Sequence, residues 1–554
     1  MIAAMHRDRV NGFLDTRGTK IVNGKGEEVL LTGWGLGNWL LTEGYMWLAG
    51  GRMDRPRGIE QVLREVAGED YAKAFWKKFR KYYITEKDIA LMAAMGYNSV
   101  RIPINARLFM EEGPGIHWVD EGWDLLDKCI DWCEKHKLYA FIDLHGAPGG
   151  QTGSNIDDSI DDIARLFVDR DNFDKGIALW KKIAQRYKDR WIVGGYDILN
   201  EPLRPVMWEG QKDLAYLLPR LKEFYREAVK AIREVDTVHA LSIEGHRWAS
   251  DPTIFDEKYD EKMIIHFHGY AFVPDVLRFE PWARLSEKVQ SPLWLGETGE
   301  NDPEWFTAVY PVAAQLGVGY NLWPWKKMRC ENSICSVKVP KGWESIAEYA
   351  AGGSHPGYER AQQLLDEYLE NIKLENCTVN DWLNAYVFRT PGCTIRATDF
   401  DDFGGNGGSY QCLRDVENPF GYREETGMEI VERFPDLPKR FFFDTRWKRF
   451  VLGLEAGEFA CYTLYDVGMN TDKNTFADIE YGAQTHMEVH CYCDKSATVN
   501  LYQDETLLGS YALAGLTDKI IIGGVRLRCA EKSVIKVEVT AGRAEIDSIV
   551  TTVE

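Results

Sequence analysis

Two glutamates stand where paired carboxylate chemistry would need them. Glu201 lies in Asn200-Glu201-Pro202 and Glu297 in Trp294-Leu295-Gly296-Glu297, each just after a short apolar run. Cleavage of a glycosidic bond uses two carboxyl groups flanking one bond. A retaining reaction wants them only about 5 Å apart, one as nucleophile and one as proton donor. Residues able to bind or polarise a substrate follow similar runs: Arg101, His145, Asn200, Glu244, His268, Tyr270 and Trp323. Position alone leaves Glu244 and Asp143 open for either carboxylate role.

Such side chains need a frame that brings distant segments to one mouth. Apolar runs occur near Leu31 to Gly35, Asn98 to Ile104, Leu138 to Leu144, Tyr196 to Leu199, His239 to Ile243, Met263 to Phe267, Leu293 to Gly296 and Val318 to Leu322. Helical patterns separate them. Glu121 to Lys137 puts Leu126, Ile130 and Cys133 on one face, and Pro219 to Val235 opens on a proline suited to a first turn. Glu304 to Leu316 is a third helix, and Ala361 to Ile372 closes the set. Alternating units of this kind predict an α/β fold, a (β/α)8 TIM barrel, whose chemistry sits where strands end at the C-terminal face. The fourth and seventh strands then face each other across the mouth, so Glu201 and Glu297 can meet over one sugar. Around residues 12–32 the turn Asn23-Gly24-Lys25-Gly26 between Ile21-Val22 and Val29-Leu30-Leu31 predicts a hairpin that plugs the barrel floor.

The 554 residues exceed one ordinary domain. After about Asn380 helical periodicity stops. Glycine-rich turns appear, such as Gly404-Gly405-Asn406-Gly407-Gly408, with alternating runs at Phe459 to Leu464, Met487 to Tyr492, Thr498 to Tyr502 and Val534 to Val539. The reading is a barrel over residues 1–380 and a C-terminal all-β jelly-roll sandwich domain over 381–554. The net charge of −20 disfavours nucleic acid and anionic membranes as partners. Met1 to Val10 carries charges rather than an apolar run, which predicts a cytoplasmic protein. Nineteen Trp, 26 Tyr and 24 Phe supply a core and, beyond it, flat rings for the apolar faces of sugars. The 11 scattered cysteines suit free thiols. Cys129/Cys133 and Cys491/Cys493 each lack the second pair that a metal site would want.

Taken together, the strand-end motifs resemble glycoside hydrolase family 5 over roughly residues 12–370. Asn200-Glu201-Pro202 is similar to that family's acid/base motif, and Glu297 to its nucleophile. Val100-Arg101-Ile102-Pro103 resembles the motif whose arginine is expected to hydrogen-bond the nucleophile and keep it ionised. His145 in Asp143-Leu144-His145-Gly146 resembles the third-strand histidine. His268-Gly269-Tyr270 resembles the His-x-Tyr motif, whose tyrosine neighbours the nucleophile, and Trp323 the tryptophan under the −1 subsite. Glu244 reads as a structural or substrate-binding group. The segments Asp143 to Gln151 and Gly33 to Leu40 lean toward the exo-β-1,3-glucanase and β-glucosidase branch.

The resemblance implies a retaining β-glycosidase acting on β-linked glucans, gluco-oligosaccharides or β-glucosides, with no cofactor and no active-site metal. An endo-acting cellulase or mannanase is the alternative within the class. Outside it stand a non-catalytic sugar-binding protein, against which both glutamates argue, and a metal-dependent hydrolase, which lacks a ligand cluster of suitable spacing. The C-terminal part resembles carbohydrate-binding modules of families 6 and 35 at Gly407-Gly408-Ser409-Tyr410 and Glu455 to Tyr462. Their opening acidic pattern is broken at Arg396-Ala397-Thr398-Asp399, leaving a structural calcium fewer oxygen ligands. The stretch from Asn371 to Tyr386 is neither Gly/Ser-rich nor Pro-rich, so this region is expected to pack on the barrel and wall its mouth through a loop near Tyr410 or Tyr422. Trp39, Tyr45 and Trp47 suit either the core or a subsite.

Overall fold

A computed structural model describes residues 8–467, 469–471, 479–481 and 484–554. Residues 1–7, on which part of the N-terminal reading rests, lie outside the described residues. Eight parallel strands close into a barrel: β1 (Thr32–Gly35), β2 (Ser99–Asn105), β3 (Tyr139–Gly146), β4 (Val193–Asp197), β5 (Ala240–Glu244), β6 (Met263–Gly269), β7 (Leu293–Gly299) and β8 (Gly319–Trp323). They follow one another in chain order, and β8 pairs back onto β1. Every residue of β2 and β3 is buried, because helices cover one face and the barrel interior fills the other. The helix Glu121–His136 turns Leu126, Cys129, Ile130 and Cys133 inward, and Leu218–Arg233 turns Leu221, Phe224, Tyr225 and Ala228. Each large apolar side chain so buried contributes roughly 1.5–3 kcal/mol.

One strand departs from expectation. The fourth pairs over Val193–Asp197, not Tyr196 to Leu199. Its opening glycines carry no apolar side chain to mark the run, yet packing requires them. A Cβ on Gly194 would lie 2.7 Å from the Phe141 ring, and one on Gly195 2.8 Å from the Ala240 carbonyl oxygen. Asn200 and Glu201 therefore project from the loop beyond β4, and Glu201 takes a left-handed φ of 45°. Arg101 likewise is not at a strand end. It sits three residues into β2, a buried strand.

The hairpin at the barrel floor is shifted from the expected one: Asp15–Arg17 pairs with Lys20–Val22 about a turn at Gly18, and across Asn23 to Gly26 only Val22 and Glu28 form a β-bridge, with the Val29 amide donating to the Ile21 carbonyl at 2.9 Å. The Tyr139 hydroxyl donates to the Gly12 carbonyl and accepts from the Asn11 amide, both at 3.0 Å.

Helical structure outlasts Asn380, because the helix Leu383–Phe388 is too short to show a period. It is anchored to the barrel by Tyr97, whose hydroxyl donates to Asn384 at 2.8 Å. From Thr394 the described residues build, between loops, one eight-stranded antiparallel sheet and a separate two-stranded one, Met469–Thr471 with Ile479–Tyr481. The two runs at Met487 to Tyr492 and Thr498 to Tyr502 belong to one strand, Thr485–Gln503, which breaks register between Tyr492 and Ala497 at exposed Asp494 and Lys495.

This sheet region docks directly on the barrel. The Arg423 amide donates to Asp275 at 2.8 Å, Lys448 pairs with Asp302 and Glu304 at 3.0 Å, and Arg440 with Glu331 at 2.7 Å. Tyr410 and Tyr422 do not wall the mouth. Both are buried within the C-terminal region, where the Tyr422 hydroxyl donates to Asp399 at 2.6 Å. The segment that reaches the barrel mouth instead is around Phe442 and Phe443. Among the described residues no helix is long and apolar enough to cross a membrane.

Candidate active site

Arg101 is the hub of the mouth. Fully buried, it donates through Nη1 to Glu297 Oε2 (2.6 Å), through Nε to Asp197 (2.8 Å), and through Nη2 to Asn200 Oδ1 (2.8 Å) and Glu244 (3.0 Å). Asp143 lies 3.1 Å from the same Nη2. One guanidinium cannot offset four buried carboxylates, so their protonation must differ. Burial holds Asp143 well above the usual carboxylate range despite the pull of Arg101. Asp197 stays below it, because His266 and Arg101 outweigh burial.

Glu297 is held on both oxygens, since the Tyr270 hydroxyl donates to Oε1 at 2.6 Å. Glu201 is held differently. Its amide donates to Glu244 Oε2 at 2.6 Å, and its carboxylate lies 2.8 Å from His268 Nδ1. Burial raises the Glu201 pKa, the charges of Glu297 and Glu244 add to that, and His268 opposes it. Burial also works against a charged His268, but Glu244, Glu297 and Glu201 outweigh it and hold the imidazole well above its ordinary value. Oxygens of Glu201 and Glu297 and a nitrogen of His268 all lie within 4.8 Å of one another.

A second chain of contacts sets the floor. The Asn200 amide faces His145 Nε2 at 3.2 Å, and His145 Nδ1 faces Asp143 at 2.8 Å. Burial and then Arg101 lower the His145 pKa to about 4. A neutral ring fits these partners if Nδ1 carries the proton and Nε2 accepts from Asn200. Its plane stacks on Trp323, with centroids 5.3 Å apart and planes 7° from parallel. Trp323 in turn lies over Gly35 and Gly37, where a Cβ would approach its ring to 2.4 and 2.7 Å. All nine residues singled out in the sequence thus converge on one mouth.

Others were missed. Glu43 is buried with Oε1 unpartnered, and burial together with the charges of Glu297, Glu300 and Glu201 raises its pKa well above normal. Tyr45 accepts from Trp323 Nε1 at 3.0 Å and donates to Glu300 at 3.2 Å, and Glu300 pairs with Lys327. Of the first-loop aromatics, then, Tyr45 belongs to the mouth, while Trp39 and Trp47 are core. The one clue to Glu43 was a carboxylate inside an apolar stretch, Trp39-Leu40-Leu41-Thr42-Glu43.

Among the described residues two triads have donor atoms close enough for a metal ion, Glu244/His266/His268 and Glu201/His268/Glu297. In each, a carboxylate already accepts from Arg101. Cys129, Cys133, Cys491 and Cys493 are buried and not disulfide-bonded. In the C-terminal region Asp401 pairs with Arg389 at 2.9 Å and Asp402 with Arg423, so arginines neutralise these acids.

A family model described as cellulase (glycosyl hydrolase family 5) matches residues 63–328. The beta-xylosidase of Phanerodontia chrysosporium is 34% identical over 298 residues, 53% of this chain and 59% of that protein. The glucan 1,3-beta-glucosidase of Candida oleophila is 30% identical over 348 residues, 56% of this chain and 76% of that protein. Endoglucanase C of Acetivibrio thermocellus is 27% identical over 200 residues, 36% of this chain and 53% of that protein. The chain thus spans little more than half the length of the xylosidase and of the endoglucanase. With the barrel and its carboxylate pair, these matches establish that the chain belongs to glycosyl hydrolase family 5.

Proposed function

We propose that the protein is a retaining β-glycosidase that hydrolyses β-linked glucans, gluco-oligosaccharides or β-glucosides by double displacement. The observation that carries this reading is the approach of Glu201 and Glu297 oxygens to within 4.8 Å. Retention needs about 5–5.5 Å between the carboxyl groups, whereas inversion needs roughly 6.5–9.5 Å to admit a water.

Glu297, fixed by Arg101 and Tyr270, attacks the anomeric carbon. Glu201, whose pKa burial raises, donates its proton to the departing oxygen. A glycosyl-enzyme forms on Glu297. Glu201, now ionised beside His268, then takes a proton from the attacking water, and the sugar leaves with its configuration retained. Asn200, His145 and Trp323 support the sugar in the −1 position, and Glu244 holds Arg101 and the Glu201 amide in place. No cofactor enters this scheme. The docked C-terminal region acts as a wall of the catalytic unit rather than a free tether.

Several relatives carry the name glucan 1,3-beta-glucosidase and another the name beta-xylosidase, which favours glucosides first and xylosides second. Turnover of 4-nitrophenyl β-glycosides, with the first-formed anomer read by NMR, tests the scheme. An inverted product would sink it.

A further inference from the structure

β6 carries one histidine more than double displacement uses. His266 and His268 lie two residues apart on that strand, so both side chains leave it on the same face, toward the barrel interior. Their Nε2 atoms meet at 3.1 Å, within hydrogen-bond distance. His266 is fully buried, with the Trp294 ring 4.7 Å from its own. A Cβ on Gly296 would lie 2.0 Å from His266 Nε2. The residue before the proposed nucleophile is thus a glycine that makes room for this imidazole.

Two nitrogens so placed share one hydrogen, so one ring donates and the other accepts. The partners of the remaining nitrogens decide which. His266 Nδ1 lies 2.9 Å from Ser242 Oγ and 3.1 Å from Asp197 Oδ1. Asp197, held below the usual carboxylate range, is ionised and takes a hydrogen from His266 Nδ1 as well as from Arg101 Nε. That leaves the His266 Nε2 lone pair to accept from His268 Nε2, while His268 Nδ1 faces Glu201 Oε1 at 2.8 Å. Glu244 Oε1 stands farther off, 3.4 Å from His268 Nε2 and 3.5 Å from His266 Nδ1, and Glu297 Oε1 lies 4.0 Å from His268 Nδ1. The charges of Asp143 on β3 and Arg101 on β2 complete the surroundings. An unbroken chain of hydrogen bonds results, from Glu201 through His268, His266, Asp197 and Arg101 to Glu297.

We propose that His266 is a positioning residue for the acid/base. By accepting the His268 Nε2 hydrogen it locks that ring, keeps an N–H of His268 on Glu201 Oε1, and confines the transferable proton to Glu201 Oε2. A buried network of this kind holds only while each member is satisfied. Without the acceptor, the positive charge that Glu244, Glu297 and Glu201 favour on His268 loses support, and Glu201 keeps its proton to higher pH. The inference rests on the glycosidase reading above.

The test separates the two nitrogens of His266. In His266→Asn the side-chain amide can stand where Nδ1 did and donate to Asp197, but the acceptor for His268 is gone. In His266→Gln the amide oxygen can stand where Nε2 did and accept from His268. With aryl and alkyl β-glycosides as substrates, the alkaline limb of kcat/KM should move to higher pH in His266→Asn and return toward the parental position in His266→Gln. A merely structural histidine would lower the melting temperature in both variants and leave the limb in place, which would overturn the proposal. A second readout needs no variant. In native protein with isotopically labelled histidine, NMR should show a nitrogen–nitrogen coupling across the hydrogen bond between two histidine Nε2 nuclei. An active native protein without that coupling would overturn the role of His266 alone. A native protein that hydrolyses no β-glycoside would overturn the glycosidase reading, and the positioning role with it.

Discussion

Arg101 Nη1 lies 2.6 Å from Glu297 Oε2, and the same guanidinium reaches Asn200 Oδ1 at 2.8 Å through Nη2. One buried cation therefore holds the proposed nucleophile and, through its neighbour Asn200, the loop that carries Glu201. Removing it disturbs both halves of the reaction at once.

That coupling makes Arg101→Met a strong test. The variant leaves Asp143, Asp197, Glu244 and Glu297 without their shared cation. Breaking a buried pair of this kind costs about 3–5 kcal/mol. A lower melting temperature is expected, along with loss of activity. A variant as stable as the parent would mean that the histidines carry the charge balance alone.

The two glutamates should fail differently. Glu297→Gln should abolish turnover of every glycoside, since no nucleophile remains. Glu201→Gln should impair poor leaving groups far more than activated aryl ones, and azide should rescue it with retained configuration. Equal loss across leaving groups would move the acid role to Glu244.

The pH profile follows from Glu201. Its pKa is raised, chiefly by burial, so the proton-donating form persists above the ordinary glutamate value of about 4.3 and is lost as pH climbs through the raised value. Activity should therefore fall on the alkaline limb. His268 opposes the rise, so His268→Asn should move that limb to higher pH. A limb that stays put or moves down would break the link between the two groups.

Trp323 can be tested without touching it. A methyl at Gly37 would lie 2.7 Å from the indole and force it to tilt. Gly37→Ala should cut kcat/KM about ten-fold or more by misplacing the −1 floor, since small displacements in a binding site carry costs of that size. Loss of stability with full activity would show the ring to be merely core.

Truncation after about Asn380 tests the docked C-terminal region. It removes Phe443 from Tyr270 and the helix Leu383–Phe388 from Tyr97, and uncovers Asp275 and Asp302. The isolated barrel should be poorly soluble and weakly active. A soluble barrel with full activity on short glycosides would contradict the docking role.

Much of this protein was legible from local pattern. Strand runs, helix faces and the short segments around Glu201 and Glu297 each span a few residues, and period and motif are written at that scale. The barrel and its mouth followed from them. Local pattern misplaced β4, because Gly194 and Gly195 signal by the side chains they lack, and the helix Leu383–Phe388, because six residues show no period. Tertiary structure alone decided the rest. It set the spacing of Glu201 and Glu297, the sharing of Arg101 among four carboxylates, the inward turn of Glu43, and the choice of Phe443 over Tyr410 or Tyr422 at the mouth. Each of these depends on groups far apart in the chain meeting in a buried, low-dielectric space. There the charge, proton and orientation of one residue are set by neighbours that only the closed fold supplies.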